Sequence, residues 1–439
     1  MSGEFDNIHQ GLSQAAALTI LTSRVEELDS KSDFYMAVSH LINFPNEETV
    51  DGLIGFLQVV SQEQSVVLAQ RKAVEVLGRL CSKEAEQVIG RCLGSKDVYM
   101  VENAVWALGQ LATQDRDMHL KMIALLSDSS QNRRVLIQTL SSLGLAEAQT
   151  EFIHLTSDEV PSVAGAAIAS LAKLGLVSDE QLSKLSDHLF LPNQMDRQSA
   201  VQDIIDAQAV GLMPDVVKAP ISPAFKIRAL KSLLDDHFLS SHDAMTLVQK
   251  IFQDNPEETI VLHHYDCTHE PAFLVEELFC PDFSRCYLAM QQLMHCEGQL
   301  IWPVLKQAWI DRAHNDYGAH YFFMHLFRLI HSWPVESLSD IKEILLDAIN
   351  DRRPQFRKSP PAALLSLAIC FPHSFAQQLD SFFSGNKIPS WQKRFAYLQA
   401  IGLLQKSLWP DITQSFLEQL IDTDPEEIVR LKAQYLLQF

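Results

Sequence analysis

The segment DRAHNDYGAHYFFMH, residues 311 to 325, places His314, Asp316, Tyr317, His320, Tyr321 and His325 within fifteen positions. On a helix His314, Tyr317, Tyr321 and His325 are near neighbours. Asp316 beside Tyr317 makes an acid/base pair that burial tunes toward neutral pH. The competing reading is that the aromatic rings simply fill a core. The histidines lack a two-histidine-plus-carboxylate or cysteine-histidine spacing, so no metal site is expected.

Three further constellations carry functional side chains. In VYMVENAVWALGQL, residues 98 to 111, Trp106 follows Glu102 by four positions with Asn103 between them, so an indole and a carboxylate project from one helix face. A core tryptophan beside a solvated glutamate fits the same spacing. In QNRRVLIQ, residues 131 to 138, Arg133 and Arg134 open a helix. Paired guanidiniums beside free helix N–H groups form an anion cradle, or else two surface arginines matched to nearby acids. In MHCEGQ, residues 294 to 299, His295 adjoins Cys296 near Gly298, and HHYDCTHE precedes it at 263 to 270. A histidine neighbour can lower a thiol pKa, although on the residues alone a buried, inert cysteine is the better reading.

Lys and Arg number 35 against 55 Asp and Glu, a formal charge of −20, which opposes binding to a nucleic-acid polyanion. Hydrophobic residues make up 47% of the chain, enough for a packed core. The opening MSGEFDNIHQ is acidic where an export signal is basic, and no apolar run reaches the roughly 18–20 residues of a spanning helix. The seven cysteines are scattered without a Cys-x-x-Cys pair, which favours reduced thiols and a cytoplasmic location. Dinucleotide, Walker, zincin and serine-hydrolase signatures do not occur.

The elements that must position these side chains are repeated helices. RKAVEVLGRL at 71 to 80 aligns with NAVWALGQL at 103 to 111, and LIQTLSSLG and AAIASLAKLG end alike, so Gly78, Gly109, Gly144 and Gly175 are 31, 35 and 31 residues apart. Weaker copies occupy 197 to 209 and 225 to 237. Apolar residues recur at i, i+3, i+4 and i+7, one face of a helix, and the glycines suit helix ends or close helix packing. A helix pair of this length cannot bury its face alone, so neighbours stack. We expect an all-α fold, a right-handed, curved α-solenoid of HEAT-like or armadillo-like repeats with a concave groove. An N-terminal helical cap is expected over 1–60, repeats of about 30 residues over 61–240, and divergent repeats continuing the same solenoid over 241–439.

VENAVWALGQL, SDSSQNRRVLIQTLSSLG, AGAAIASLAKLG and WPVLKQAWIDRAHNDYGAHYFFMH together resemble the E/F-type phycobilin lyases, HEAT-repeat proteins that attach linear tetrapyrroles to cyanobacterial light-harvesting proteins. The long single chain is most similar to the phycoerythrin branch, which includes lyase-isomerases. The resemblance implies that a thiol of a phycoerythrin α subunit adds to ring A of phycoerythrobilin, and that an isomerising member then forms phycourobilin. The bilin is substrate, no cofactor is implied, and the acceptor cysteine belongs to the partner.

Carried onto this chain, the resemblance implies that Glu102, Asn103 and Trp106 line the bilin groove and that Arg133 and Arg134 pair with the propionates. His314 and His320 are assigned to bilin binding, and Asp316 and Tyr317 to proton transfer. His295 and Cys296 partly match an Asn-His-Cys-Gln-Gly-Asn motif of an isomerising lyase, with Met294, Glu297 and Gln299 differing. The alternatives from another class are a non-catalytic scaffold or chaperone for phycobiliproteins and an unrelated HEAT-repeat adaptor.

Overall fold

The structure is a computed structural model that describes residues 9, 11–383, 389–409 and 412–438. Apart from His9, the segment read as lacking an export signal lies outside the described residues. Among the described residues there are twenty-five α-helices, nine short 3-10 turns and no strand. The fold is all-α and repetitive, and it divides into two compact units, Met1–Val177 and Ser178–Phe439. The division falls inside the stretch 61–240 expected to hold uniform repeats.

In the first unit the helices Asp33–Leu41, Gln64–Arg79, Val98–Gln110, Arg133–Ser142 and Pro161–Lys173 stack consecutively, each backed by a second helix. Their shared faces carry Ala73, Val74 and Leu77, then Ala104, Val105 and Leu108, then Ile137 and Leu140, all buried. Burying each large aliphatic side chain stabilises by about 1.5–3 kcal/mol, and the alanines let the backbones approach. Asp97, Asn132 and Asp115 cap helix starts by accepting from Tyr99, Val135 and Met118 backbone N–H groups.

A backbone feature marks the repeat more regularly than the glycines do. Cys81, Ala112, Gly144, Gly175, Gln208 and His237 all have positive φ, so the spacing runs 31, 32, 31, 33 and 29 residues. After each, the next N–H returns to the carbonyl five residues earlier, as in Ser82 to Leu77 at 3.2 Å, Leu145 to Leu140 at 3.2 Å and Phe238 to Leu233 at 2.9 Å. This is the Schellman helix stop, with the left-handed residue just past the last helical turn. The four glycines are therefore not equivalent. Gly144 and Gly175 occupy the stop, whereas Gly78 and Gly109 lie inside helices, where a Cβ at Gly78 would meet Ala107 Cβ at 2.8 Å. The irregular interval of 35 is this three-residue offset.

The second unit continues the helix pairs through Gln194–Asp206 and Pro223–Asp235 and then encloses the helix Ser359–Cys370. Tyr317–Leu329, Leu338–Asn350 and Trp391–Ile401 surround that helix, and Ser359 through Ala368 are buried without interruption. The segment read as divergent repeats closes on its own beginning. Helix Glu427–Gln438 packs against Ser241–Gln253, Lys231 Nζ lies 2.8 Å from Glu426 Oε2, and Ser241 Oγ donates to Glu427 at 2.6 Å. In a linear array each repeat touches only its neighbours, so this closure gives the unit a centre.

Candidate functional site

In the first unit Asn103 Nδ2 donates to Arg71 O at 3.1 Å, which ties the tryptophan helix to the preceding repeat. Arg71 in turn pairs with Asp97 at 2.7 Å and lies 4.7 Å from the centre of the exposed Tyr99 ring. Trp106 is half-buried against the helix that carries Gly78, and Glu102 is half-buried beside it. The structure thus brings Glu102, Asn103 and Trp106 to one partly accessible helix surface.

The anion cradle expected at Arg133 and Arg134 is already engaged by the protein itself. Arg133 makes a bidentate pair with Asp158, at 2.5 and 3.0 Å, and Arg134 Nη1 donates to Ser162 O at 2.6 Å. Both acceptors come from the next repeat, so the guanidiniums clamp one repeat onto another. A forked carboxylate partner is the strongest acceptor for arginine, and a bound anion would have to displace it.

In the second unit Asp316 caps helix Tyr317–Leu329, its Oδ1 accepting from Gly318 N at 2.9 Å and Ala319 N at 2.8 Å. Tyr317 follows it on the surface, 51% exposed. His314 and His320 do not share an open face. His314 is exposed and its Nδ1 donates to Trp309 O at 3.0 Å. His320 is buried between the Trp309 and Phe356 rings, with Nδ1 2.9 Å from Ser359 Oγ, and burial lowers its pKa to about 4. It is a neutral packing residue in the core.

His295 and Cys296 turn elsewhere. His295 Nε2 lies 3.8 Å from Glu257, while Cys296 Sγ points back to Gln292 O at 3.5 Å. Burial raises the Cys296 thiol above its ordinary 9.0, opposite to the lowered pKa that an adjacent histidine suggests. Side chains one residue apart on a helix end diverge, so His295 and Cys296 do not face each other.

The residue that the sequence reading missed is Lys358. Its Nζ is buried, makes no hydrogen bond among the described residues, and lies 4.6, 4.7 and 5.4 Å from the centres of the Tyr317, Phe283 and Tyr321 rings. Burial, partly offset by the charges of Cys286, Asp316 and Asp254, lowers its pKa from 10.5 to about 8. Lys358 and Tyr321 also line a cavity of about 130 Å³ with Pro223, Ile227, Phe252 and Pro361. The structure therefore sets the predicted pair Asp316 and Tyr317 beside a buried amine. The signal in the sequence was a lysine just before Ser359-Pro360-Pro361, since a cation at a helix N-terminus opposes the helix dipole.

Behind Tyr321 lies a fully buried polar network. Asp254 Oδ2 accepts from Tyr287 at 2.7 Å and Tyr321 at 2.5 Å, and Oδ1 lies 3.6 Å from Lys226 Nζ. Burial alone would raise the Asp254 pKa, but Lys226, His325 and the two hydroxyls carry it below the usual carboxylate value. His325 Nε2 donates to Asp254 O at 2.6 Å while its Nδ1 accepts from Arg328. Burial and the Arg328 charge lower the His325 pKa to about 3. Asp254 itself holds a left-handed φ of 39°, a conformation that a non-glycine residue keeps only when its surroundings enforce it.

These units define a HEAT-repeat protein, and the HEAT-repeat family model matches residues 55–141. The chain is 39% identical over 414 residues to "Bilin biosynthesis protein CpeY" of Synechococcus sp. (strain WH8020), covering 94% of this chain and 98% of that one. It is 32% identical over 361 residues to "Uncharacterized phycocyanin operon protein Y" of Pseudanabaena tenuis (strain PCC 7409), covering 81% and 84%. Among solved structures, the complex of CpcE and CpcF of phycocyanin lyase from Nostoc sp. PCC7120 matches at 21% identity over 57% of this chain and 98% of that one, with a TM-score of 0.46. The chain belongs to the E/F-type phycobilin lyase family of HEAT-repeat proteins.

Proposed function

We propose that this protein is a phycobilin lyase that joins phycoerythrobilin through a thioether to a cysteine of a phycoerythrin α subunit, and that it isomerises the bound chromophore to phycourobilin. The observation that carries the reading is the 39% identity to a bilin biosynthesis protein along 94% of the chain. The grouping of Tyr317, Asp316 and Lys358 supports it chemically.

Ligation adds the partner's S–H across the ethylidene double bond, so a C–S bond forms and the thiol proton ends on the bilin. No oxidant is consumed. Isomerisation moves a double bond, which requires one proton removed and one delivered. The exposed Tyr317 hydroxyl is the group offered for proton exchange, and the Lys358 ammonium, 4.6 Å from the centre of its ring, favours the phenolate left when the proton departs. The nucleophile comes from the acceptor subunit, so the raised thiol of Cys296 is no obstacle.

Two substitutions separate an enzyme from a scaffold that only holds phycobiliproteins. Asp316→Asn keeps the cap, because asparagine is as good at a helix start as aspartate, but removes the carboxylate charge. Tyr317→Phe keeps the ring over Lys358 and removes the hydroxyl. An enzyme loses adduct or isomer in these variants while still binding phycoerythrobilin. An unchanged yield contradicts the roles assigned to both residues and favours a chaperone.

A further inference from the structure

Lys358 presents an ammonium without a hydrogen-bond acceptor among the described residues. Buried side-chain donors are nearly always satisfied, so an exception in a well-packed unit calls for an explanation. Its position adds to the anomaly. Lys358 stands at the N-terminal end of helix Ser359–Cys370, where the helix dipole repels a cation. The three rings of Phe283, Tyr317 and Tyr321 hold the charge by its attraction to their faces, yet offer no acceptor for its N–H groups. The nearby carboxylates are engaged: Asp316 caps its helix, and Asp254 accepts from Tyr287 and Tyr321.

The cavity that Lys358 borders supplies the second part. Pro223, Ile227, Ile251, Phe252 and Pro361 make its walls apolar, and Arg357 joins Lys358 on its lining. Its volume of about 130 Å³ is close to the roughly 150 Å³ of an apolar cavity that binds benzene. One five-membered ring fits such a space, whereas a whole linear tetrapyrrole does not. Two cations at an apolar pocket select an anion over a neutral carbonyl.

We infer that this cavity is a subsite for a single pyrrole-sized ring bearing a carboxylate, with Lys358 Nζ donating to that carboxylate. The inference rests on the lyase reading above, under which the occupant is one pyrrole ring of the bilin with its propionate arm. It places the propionate contact at Lys358, in place of Arg133 and Arg134, which are committed to Asp158 and Ser162.

The test titrates the purified full chain with phycoerythrobilin and with its dimethyl ester, followed by visible absorbance. The acid should bind about tenfold more tightly than the ester, the scale of one hydrogen bond to a charged group. In Lys358→Met the two should bind alike, and Lys358→Arg should retain part of the preference. Equal binding of acid and ester by the native chain, or an undiminished preference in Lys358→Met, overturns the subsite. A second arm uses 3-(pyrrol-3-yl)propionate and its methyl ester, observed by NMR. Binding of the acid to the native chain but not to Lys358→Met upholds the subsite even if no coloured subunit ever forms, an outcome that sinks only the lyase reading. Conversely, normal adduct formation with no response of either probe to Lys358→Met sinks the subsite and leaves the lyase reading intact. The helical circular-dichroism signal of each variant establishes that it is folded.

Discussion

Lys358 Nζ stands 4.6 Å from the centre of the Tyr317 ring, so a buried amine from one helix start covers the exposed phenol of another. Asp316 caps the second of these helices and Ser359 of the first bonds His320, which fixes the two starts against each other. General acid–base groups contribute about 10²–10⁴-fold to rate. Tyr317→Phe should therefore lower the rate of isomer or adduct formation by at least about a hundredfold while bilin binding stays within about twofold. A parallel loss of binding and product would instead mark Tyr317 as a docking residue.

Because the Lys358 ammonium is desolvated without a hydrogen-bond acceptor among the described residues, it destabilises the empty protein. A buried donor left unsatisfied costs about 1–3 kcal/mol, which an apolar side chain of similar length removes. Lys358→Met should raise the melting temperature of the Ser178–Phe439 unit, by about 2–4 °C for each kcal/mol gained. Five of the six tryptophans lie in that unit, so their fluorescence reports its unfolding. A lowered melting temperature would show that the aromatic cage outweighs the desolvation.

The helix stops make opposite predictions at equivalent positions. Ala112 holds a φ of 48° and Gly144 one of 71°. Left-handed backbone costs an alanine about 1–2 kcal/mol, against the smaller extra entropy of an unfolded glycine. Ala112→Gly should stabilise the first unit by about 0.5–1 kcal/mol, and Gly144→Ala should destabilise it by a similar amount. Chemical denaturation followed at Trp106 measures both, and equal signs would contradict the shared stop.

Gly78→Ala tests the close helix crossing. The added methyl would lie 2.8 Å from Ala107 Cβ and 2.9 Å from Ala107 Cα, so backbone must move. Overpacking of this kind costs about 1–3 kcal/mol. A variant as stable as the parent in urea would show that the two helices can separate freely.

His320 and His325 are 2% and 0% exposed, with pKa values lowered to about 4 and about 3 from 6.5. Between those values the unfolded chain binds protons that the folded one refuses. Their contribution is whole above pH 6.5 and falls as the pH drops toward the folded values. At pH 5 each withdraws about 2 kcal/mol of stability relative to pH 7 and above. Urea unfolding at pH 7 and pH 5 should differ by about 4 kcal/mol, and His320→Gln should remove about half of the difference. A flat profile would mean that the rings are solvated.

Much of this architecture was legible in the chain. Apolar residues at helical spacing identify the inner helices, and the prolines at 161, 223, 271 and 360 open helices where a missing N–H costs nothing. The repeat register was less legible, because the helix stop depends on φ and accepts Cys81, Ala112, Gln208 and His237 as well as glycine. Asp316 and Tyr317 stand out in the sequence because they belong to a local cluster of histidines and aromatics. Lys358 was missed because its environment is made by Phe283 and Tyr317, which reach it only through tertiary packing. Which acid the arginine pair meets was illegible for a related reason: nothing within QNRRVLIQ shows that Asp158 waits in the next repeat.

The central claim is that this chain makes a covalent bilin adduct on a phycoerythrin α subunit. Co-expression with a phycoerythrobilin-producing pathway and that subunit, followed by the visible spectrum and intact mass of the purified subunit, measures it directly. The account predicts a mass increase of one bilin together with a phycourobilin band. A phycoerythrobilin band at the same mass would limit the protein to ligation, and a colourless subunit of unchanged mass would contradict the claim.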